Sequence, residues 1–288
     1  MNHPMSKRLQ LHEFFFGGFL LVMSLWLLAV HGPAEPFAWL FIGQFAAAIA
    51  LIVWSSRAPE SIVRWRCRLL FYALAMNLSY FGLRYAIPAV HPRSFDPELA
   101  RADVAMLGAP VGILLRPLAR PWLTDILSFC YFLFYPWLLW GWVRFGFRDV
   151  AVLRRLCAGT FTIYGIGLLS YAMVPAGGPH FFPELAATLG PDLEGGLMTQ
   201  LQARIVADGC IRVDAFPSLH CACSAFLLWF EWHHARRWFW VMLAPCSGLW
   251  FSTMYLRFHY LVDVLAGFAL AVATIITVRL WEKSNRSS

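Results

Sequence analysis

Residues 214–230 read DAFPSLHCACSAFLLWF, and residues 253–267 read TMYLRFHYLVDVLAG. Both are parts of apolar runs, and both carry polar side chains near the lip of the run. Ser218 and His220 stand in the first, His259 and Asp263 in the second. Apolar runs recur along all 288 residues; the chain is 60% hydrophobic and 14% charged, with mean hydropathy +0.60. A soluble domain carries about 25% charged residues, so the composition predicts an integral membrane protein. Spans of roughly 20 apolar residues cross a bilayer. Eight are predicted, at about Phe14–Val30, Pro36–Trp54, Leu69–Val90, Trp122–Val143, Cys157–Ala176, Phe216–Trp232, Trp238–Leu256 and His259–Leu280. The fold class is an all-α, polytopic helical bundle forming one membrane domain.

Orientation follows from the basic residues. Lys7 and Arg8, then Arg57, Arg64, Arg66 and Arg68, then Arg144, Arg148, Arg154 and Arg155, then Arg236 and Arg237, then Arg279, Lys283 and Arg286 all fall on one side. That is fifteen of the 23 basic residues. The opposite loops hold most of the acids, among them Glu35, Asp96, Glu98, Asp103, Glu184, Asp192, Glu194, Asp208 and Asp214. Both termini are predicted to be cytoplasmic. The first run is read as a retained helix, because its length exceeds a signal-peptide core and His31-Gly32-Pro33 is a poor cleavage site. The net charge of +7 is mostly this topology signal and does not argue for nucleic acid. Seven cysteines without a C-x-x-C pattern read as small apolar core residues.

Two connections, His91–Pro121 and Gly177–Ala215, are long and face outward, and long loops are often functional. Arg84, Asp125 and Asp263 sit near the outer ends of spans, where an ionisable group invites a functional hypothesis. Asp125 also suits a first-turn helix carboxylate, and Arg84 suits snorkelling to the interface. Arg116 and Arg120, four apart, would share one face of a short helix and could hold an anion or stay solvated.

Pro217 fits the first turn of a helix, with Ser218 and His220 beside the free N–H groups of that turn. A helix N-terminus is a ready anion site, Ser218 adds a hydroxyl donor, and His220 can protonate a leaving oxygen. His259 and Asp263 are i and i+4 on one helix face, with Gly267 four further along to admit a close neighbour. An Asp accepting one imidazole N–H leaves the other ring nitrogen free as a nucleophile. The topology puts His220 and His259 at the same membrane surface. The segment YAMVPAGGPHFF (171–182) ends the fifth span there, so His180 faces that space as a solvated loop residue or a substrate contact.

These residues resemble the type 2 phosphatidic acid phosphatase superfamily, from about Asp96 to the end of the last span. FPSLH looks like the family's Pro-Ser-Gly-His motif with Leu219 in place of Gly, and TMYLRFHYLVDVLAG looks like its His-x-x-x-Asp motif. The Leu and the YLRFHY context resemble the inositol phosphorylceramide synthase branch, and PAGGPHF is similar to a segment of sphingomyelin synthases. Two motifs depart from the phosphatase pattern. Ala109 and Ile113 stand where a Lys would precede Arg116 or Arg120, and Thr253 stands where an Arg would precede the His, with Arg257 the candidate to replace it.

The resemblance implies a six-helix core in residues 69–288, preceded by an added helix pair in residues 1–68. It makes His259 the nucleophile that forms a phosphohistidine, Asp263 its activator and His220 the proton donor. Ser218, His180, Arg257 and Arg116 become candidate phosphate or substrate contacts. No metal or cofactor is implied, and the substrates are membrane lipids. The expected reaction is transfer of a phosphate-linked headgroup to a lipid alcohol, with hydrolysis of a lipid phosphate or diphosphate as the alternative. The expected setting is a bacterial inner membrane with the site on the periplasmic side. A haem protein ligated by His220 and His259 would leave Asp263 and the Pro-Ser cap unexplained, and a purely structural or transport role would leave all three unexplained.

Overall fold

The computed structural model describes residues 9–58, 61–147 and 149–286, and the regular structure among them is entirely helical. Lys7, Arg8 and Arg148 of the basic pattern lie outside the described residues. The helices, in chain order, are α1 (Leu11–His31), α2 (Pro36–Ser56), α3 (Ile62–Val90), α4 (Asp96–Leu107), α5 (Val111–Leu115), α6 (Pro121–Gly146), α7 (Val150–Met173), α8 (Pro183–Leu189), α9 (Leu197–Gly209), α10 (Leu219–His234), α11 (Arg236–Tyr255) and α12 (Leu261–Arg286).

Each of the eight predicted spans coincides with a helix: α1, α2, α3, α6, α7, α10, α11 and α12. Five of them (α1, α2, α6, α7 and α12) are long and apolar enough to cross a membrane. The other three fall short for different reasons. Asn77, Ser79 and Arg84 dilute the middle of α3, and Pro245, Ser247, Ser252 and Thr253 do the same in α11. With 16 residues, α10 is about 24 Å long, against a hydrocarbon core of about 30 Å. The chain is a polytopic helical membrane protein.

The two long connections hold α4 and α5 in one case and α8 and α9 in the other. Arg116 opens a short 3-10 turn, Arg116–Leu118, and Arg120 follows that turn. The expectation that Arg116 and Arg120 share one helical face is therefore wrong, because Pro117 and Pro121 interrupt the helix on either side.

The chain divides into two compact units. One comprises Met1–Pro92, Gly141–Leu169 and Ala273–Ser288; the other comprises Arg93–Trp140 and Ser170–Val272. In the first, α1 buries Phe16, Phe19, Leu20, Met23 and Leu27 with Phe41 and Tyr72. Phe16 meets Phe19 and Tyr72 edge-on at 5.5 Å between ring centroids, a favoured aromatic geometry. A Cβ at Gly165 would come 2.7 Å from the Phe16 nitrogen, so only glycine admits α1 there. Arg68 makes a buried two-pronged pair with Glu13, both contacts at 2.5 Å, and also donates to Ser55 at 3.1 Å. Arg68 is thus a core group rather than a solvated loop charge.

In the second unit, α10 and α11 form a hairpin joined by Ala235 alone. Helix α4 turns Asp96, Leu99 and Asp103 inward, the i, i+3, i+7 spacing of one face. Leu99 joins Ala176, Leu185, Leu189, Ala215 and Tyr260 in a buried cluster. Four cysteines are buried (Cys157, Cys221, Cys223 and Cys246), as core residues should be, while Cys67 is exposed.

Candidate active site

Helix α11 ends in a turn that aims the next four residues. The Phe258 N–H donates to the Thr253 carbonyl at 3.0 Å and the Arg257 N–H to the Met254 carbonyl at 3.0 Å. This pair of bonds is the Schellman closure, whose left-handed residue is usually glycine. Here that residue is Arg257, at φ 66°. The His259 N–H also donates to the Thr253 carbonyl, at 3.0 Å. Thr253, which stands where the phosphatase motif has Arg, is thus the anchor of the turn that presents His259.

His259 is buried at 4% exposure, and its Nδ1 lies 3.4 Å from Asp263 Oδ2. The same oxygen accepts the Tyr260 N–H at 2.9 Å. Asp263 is fully buried in the first turn of α12. One turn further along, a Cβ on Gly267 would fall 2.4 Å from the Ser218 carbonyl oxygen. Glycine there lets α10 and α12 approach at backbone distance, as the sequence predicts.

That approach brings in the second histidine. Ser218 is the N-cap of α10, its Oγ accepting the Cys221 N–H at 3.4 Å, and its own N–H donates to the Asp263 carbonyl at 3.0 Å. Pro217 lies before the cap, joined to Phe216 by a cis peptide bond, and not in the first helical turn as expected. His220 follows in that turn, its ring centroid 6.1 Å from that of His259. Three aromatic residues of α6 surround it: Tyr131 at 4.5 Å and Phe134 at 5.1 Å between centroids, and Tyr135, whose hydroxyl is 3.3 Å from His220 Nε2.

His180 joins from the third segment. Its N–H donates to the Arg257 carbonyl at 2.8 Å, and its ring faces Phe258, which also meets Tyr131. Gly178, at φ 87°, has no alternative there, since a Cβ would lie 2.1 Å from the Phe258 carbonyl oxygen. Burial holds the His180 imidazole below its ordinary pKa of 6.5; nearby Asp192 opposes this, and Arg257 and Arg212 reinforce it.

Arg257 is 6% exposed, and its Nη1 donates to the carbonyls of Gly190 and Pro191 at 3.2 and 2.9 Å. Arg116 reaches the same loop, its Nη2 3.5 Å from the Cβ position of Gly190. Burial first, and Arg116 among the neighbours, lower the Arg257 pKa, while Asp192 counters them.

His220, His259, Asp263, Ser218, His180, Arg257 and Arg116 therefore gather in one unit, which the sequence could propose only from topology. Arg120 lies in the same unit, but its Nη1 is occupied by the Ala119 and Pro117 carbonyls at 2.7 and 3.5 Å. Asp125 does not serve its own helix. Its Oδ1 accepts the N–H and hydroxyl of Thr199 at 2.9 and 3.1 Å, in the first turn of α9. Arg84 belongs to the other unit.

Two groups at the site carry no motif in the sequence. Tyr131, Phe134 and Tyr135 were legible only as one face of a helix, which usually means core. Asp96 and Asp103 read as acids of an outer loop, and their i, i+7 spacing with Leu99 between them is the available signal.

Residues 97–277 match the PAP2 superfamily. The chain belongs to that superfamily. Over 68 residues it is 45% identical to the inositol phosphorylceramide synthase of Candida albicans, covering 23% of this chain and 14% of that protein. Over 109 residues it is 40% identical to the inositol phosphorylceramide synthase catalytic subunit of Saccharomyces cerevisiae, covering 38% of this chain and 25% of that one. The chain therefore aligns with a quarter or less of the length of these curated relatives. No solved structure matches it.

Proposed function

We propose that the chain is a membrane lipid phosphotransferase that moves a phosphate-linked headgroup to a lipid alcohol through a phosphohistidine on His259. The observation that carries this reading is the His259–Asp263 pair facing His220 across 6.1 Å. With Nδ1–H directed to Asp263, the lone pair of His259 lies on Nε2. Nε2 attacks phosphorus, the P–O bond to the leaving lipid breaks, and His220 delivers a proton to that oxygen. The acceptor hydroxyl then attacks phosphorus, the P–N bond breaks, and the acceptor's proton passes to His220. Asp263 fixes the tautomer and stabilises the imidazolium character that develops, as a carboxylate does behind other catalytic histidines.

Arg257 and Arg116 form the anion clamp in this reading. Among the described residues Nε and Nη2 of Arg257 make no hydrogen bond, which leaves two donors for phosphate oxygens. Ser218 and His180 line the same site. Residues 69–288 are the catalytic core, with residues 1–68 an added helix pair, in keeping with a family match that begins at residue 97. The alternation of basic and acidic loops supports cytoplasmic termini and a site on the opposite face, periplasmic in a bacterial inner membrane.

Hydrolysis would use the same residues with water as acceptor. Transfer is preferred because Ala109 and Thr253 replace two basic residues of the phosphatase pattern, and because the named relatives are synthases. Purified protein, given a panel of lipid phosphates and phosphodiesters with and without a lipid alcohol, tests the choice. Transfer predicts a new lipid that requires the alcohol; phosphate release indifferent to the alcohol would make the enzyme a phosphatase.

A further inference from the structure

Three residues separate His259 from Asp263, and each donates a hydrogen bond to an aspartate of α4. The Tyr260 hydroxyl donates to Asp96 Oδ1 at 3.0 Å. The N–H groups of Leu261 and Val262 donate to Asp103 Oδ1 at 2.8 and 3.3 Å. Asp96 also holds the turn before His180, taking the N–H groups of Gly178 and Gly177 at 2.8 Å each. Ser94 donates its hydroxyl to Asp96 at 2.6 Å, and the Val111 N–H donates to Asp103 at 3.3 Å. Both carboxylates are buried, at 4% and 0% exposure.

From this we infer that α4 is a two-point clamp on the nucleophile segment, with Asp96 and Asp103 as positioning residues for the reaction. The inference rests on the catalytic reading of His259. A His and an Asp four apart on a regular helix would be held together by the helix alone, but His259 precedes the first residue of α12. Its register against Asp263 depends on residues 260–262, and those are the residues α4 grips. Asp103 satisfies two N–H groups at the opening of α12, which have no partner within the helix. Asp96 couples the His259 segment to the Gly177-Gly178 turn, so that the nucleophile and His180 keep one spacing. Buried aspartates cost desolvation unless fully bonded, and these two sit at the positions of an inward stripe where apolar residues would serve a purely structural helix.

An ionised carboxylate is acceptor-only, so Asp96→Asn sets an NH2 group against at least one donor. Tyr260→Phe removes one bond and leaves the carboxylate. Misplacing a reacting group by about 1 Å can cost ~10²-fold. Asp96→Asn is therefore expected to lose ~10–10² in kcat, with KM within about three-fold of the parent. Tyr260→Phe should lose less, and the double variant should be no slower than Asp96→Asn, as residues acting through one contact are not additive.

The same full-length proteins in detergent are followed by amide hydrogen exchange. The clamp predicts faster exchange at both Gly177-Gly178 and Tyr260–Val262 in Asp96→Asn. Unchanged exchange at either segment would overturn the clamp, and faster exchange with unaltered kcat per folded molecule would overturn the positioning role. Should Asp96→Asn not fold, Tyr260→Phe decides alone: parental kcat and parental exchange at residues 260–262 would refute the proposal. A parent that turns over no lipid phosphate refutes the catalytic reading, while exchange still judges the clamp.

Discussion

Asp263 places one oxygen against both His259 Nδ1, at 3.4 Å, and the Tyr260 N–H, at 2.9 Å, while its other oxygen receives no hydrogen bond among the described residues. A fully buried carboxylate with a bare oxygen is costly if it only packs a helix. It is useful beside an imidazole that gains positive character. Asp263→Asn keeps the volume and one acceptor but removes the charge. The variant is expected to be monodisperse, with thermal stability near the parent's, and to lose ~10²–10⁴ in kcat, as for other carboxylate–histidine pairs. Parental turnover in a well-folded Asp263→Asn protein would leave Asp263 a packing residue.

His220 should separate substrates by their leaving groups. A general acid contributes ~10²–10⁴-fold, and least where the departing oxygen needs no proton. His220→Ala is expected to lose that factor with a natural lipid substrate and much less with a nitrophenyl phosphodiester. Equal losses with both would remove His220 from the role of proton donor.

Arg257 occupies a backbone position made for glycine. Left-handed geometry costs a non-glycine residue roughly 1–2 kcal/mol, and Arg257→Gly relieves that while forfeiting the two bonds to the 190–191 carbonyls. Its melting temperature should therefore move little. Activity should fall by about 10²-fold in kcat/KM, the typical cost of losing one anion-binding donor. Arg257→Lys keeps the charge without the planar fork and should fall between the two. Parental kcat/KM in Arg257→Gly would show that the arginine serves the loop alone.

His180 gives a pH signature. Burial, foremost, depresses its pKa below 6.5, so between that depressed value and 6.5 the unfolded chain binds the proton more readily than the folded one. The stabilisation is complete above pH 6.5 and is lost as pH falls below it. Melting temperatures from pH 7 to pH 5 should therefore drop more steeply for the parent than for His180→Gln. Asp192→Asn, which removes the opposing carboxylate, should steepen the drop. Parallel curves for parent and His180→Gln would contradict the assignment.

Much of this was legible in the sequence because the signals are local. Asp263 and Gly267 announce themselves by i, i+4 spacing, and Ser218 by its place before an apolar run; His259, expected on the same helix, lies instead in the turn before α12. The positions of the eight spans follow from hydropathy, whereas α4, α5, α8 and α9 lie in stretches that read as loops. What was hidden depends on contacts distant in sequence. Asp96 and Tyr260 are 164 residues apart, and Tyr135 and His220 are 85 apart. Asp125 opens no helix of its own but holds the first turn of α9, which no reading of its neighbours could reveal. Arg68 reads as a loop cation because basic residues cluster around it, yet its partner Glu13 lies 55 residues earlier. Arg257 was visible as a basic residue near the motif; its left-handed backbone was not, because arginine gives no hint of it.

A covalent bond between phosphorus and His259 can be read directly. Purified protein is mixed with a lipid phosphodiester carrying a radiolabelled phosphate, quenched in alkali where phosphoramidates persist, and digested for mass spectrometry. A label is expected on the peptide containing His259, stable to base and released by acid, that disappears when lipid alcohol is added before the quench. His259→Ala should carry no label. Turnover by the parent without any labelled peptide, or a label that survives in His259→Ala, would contradict the phosphohistidine.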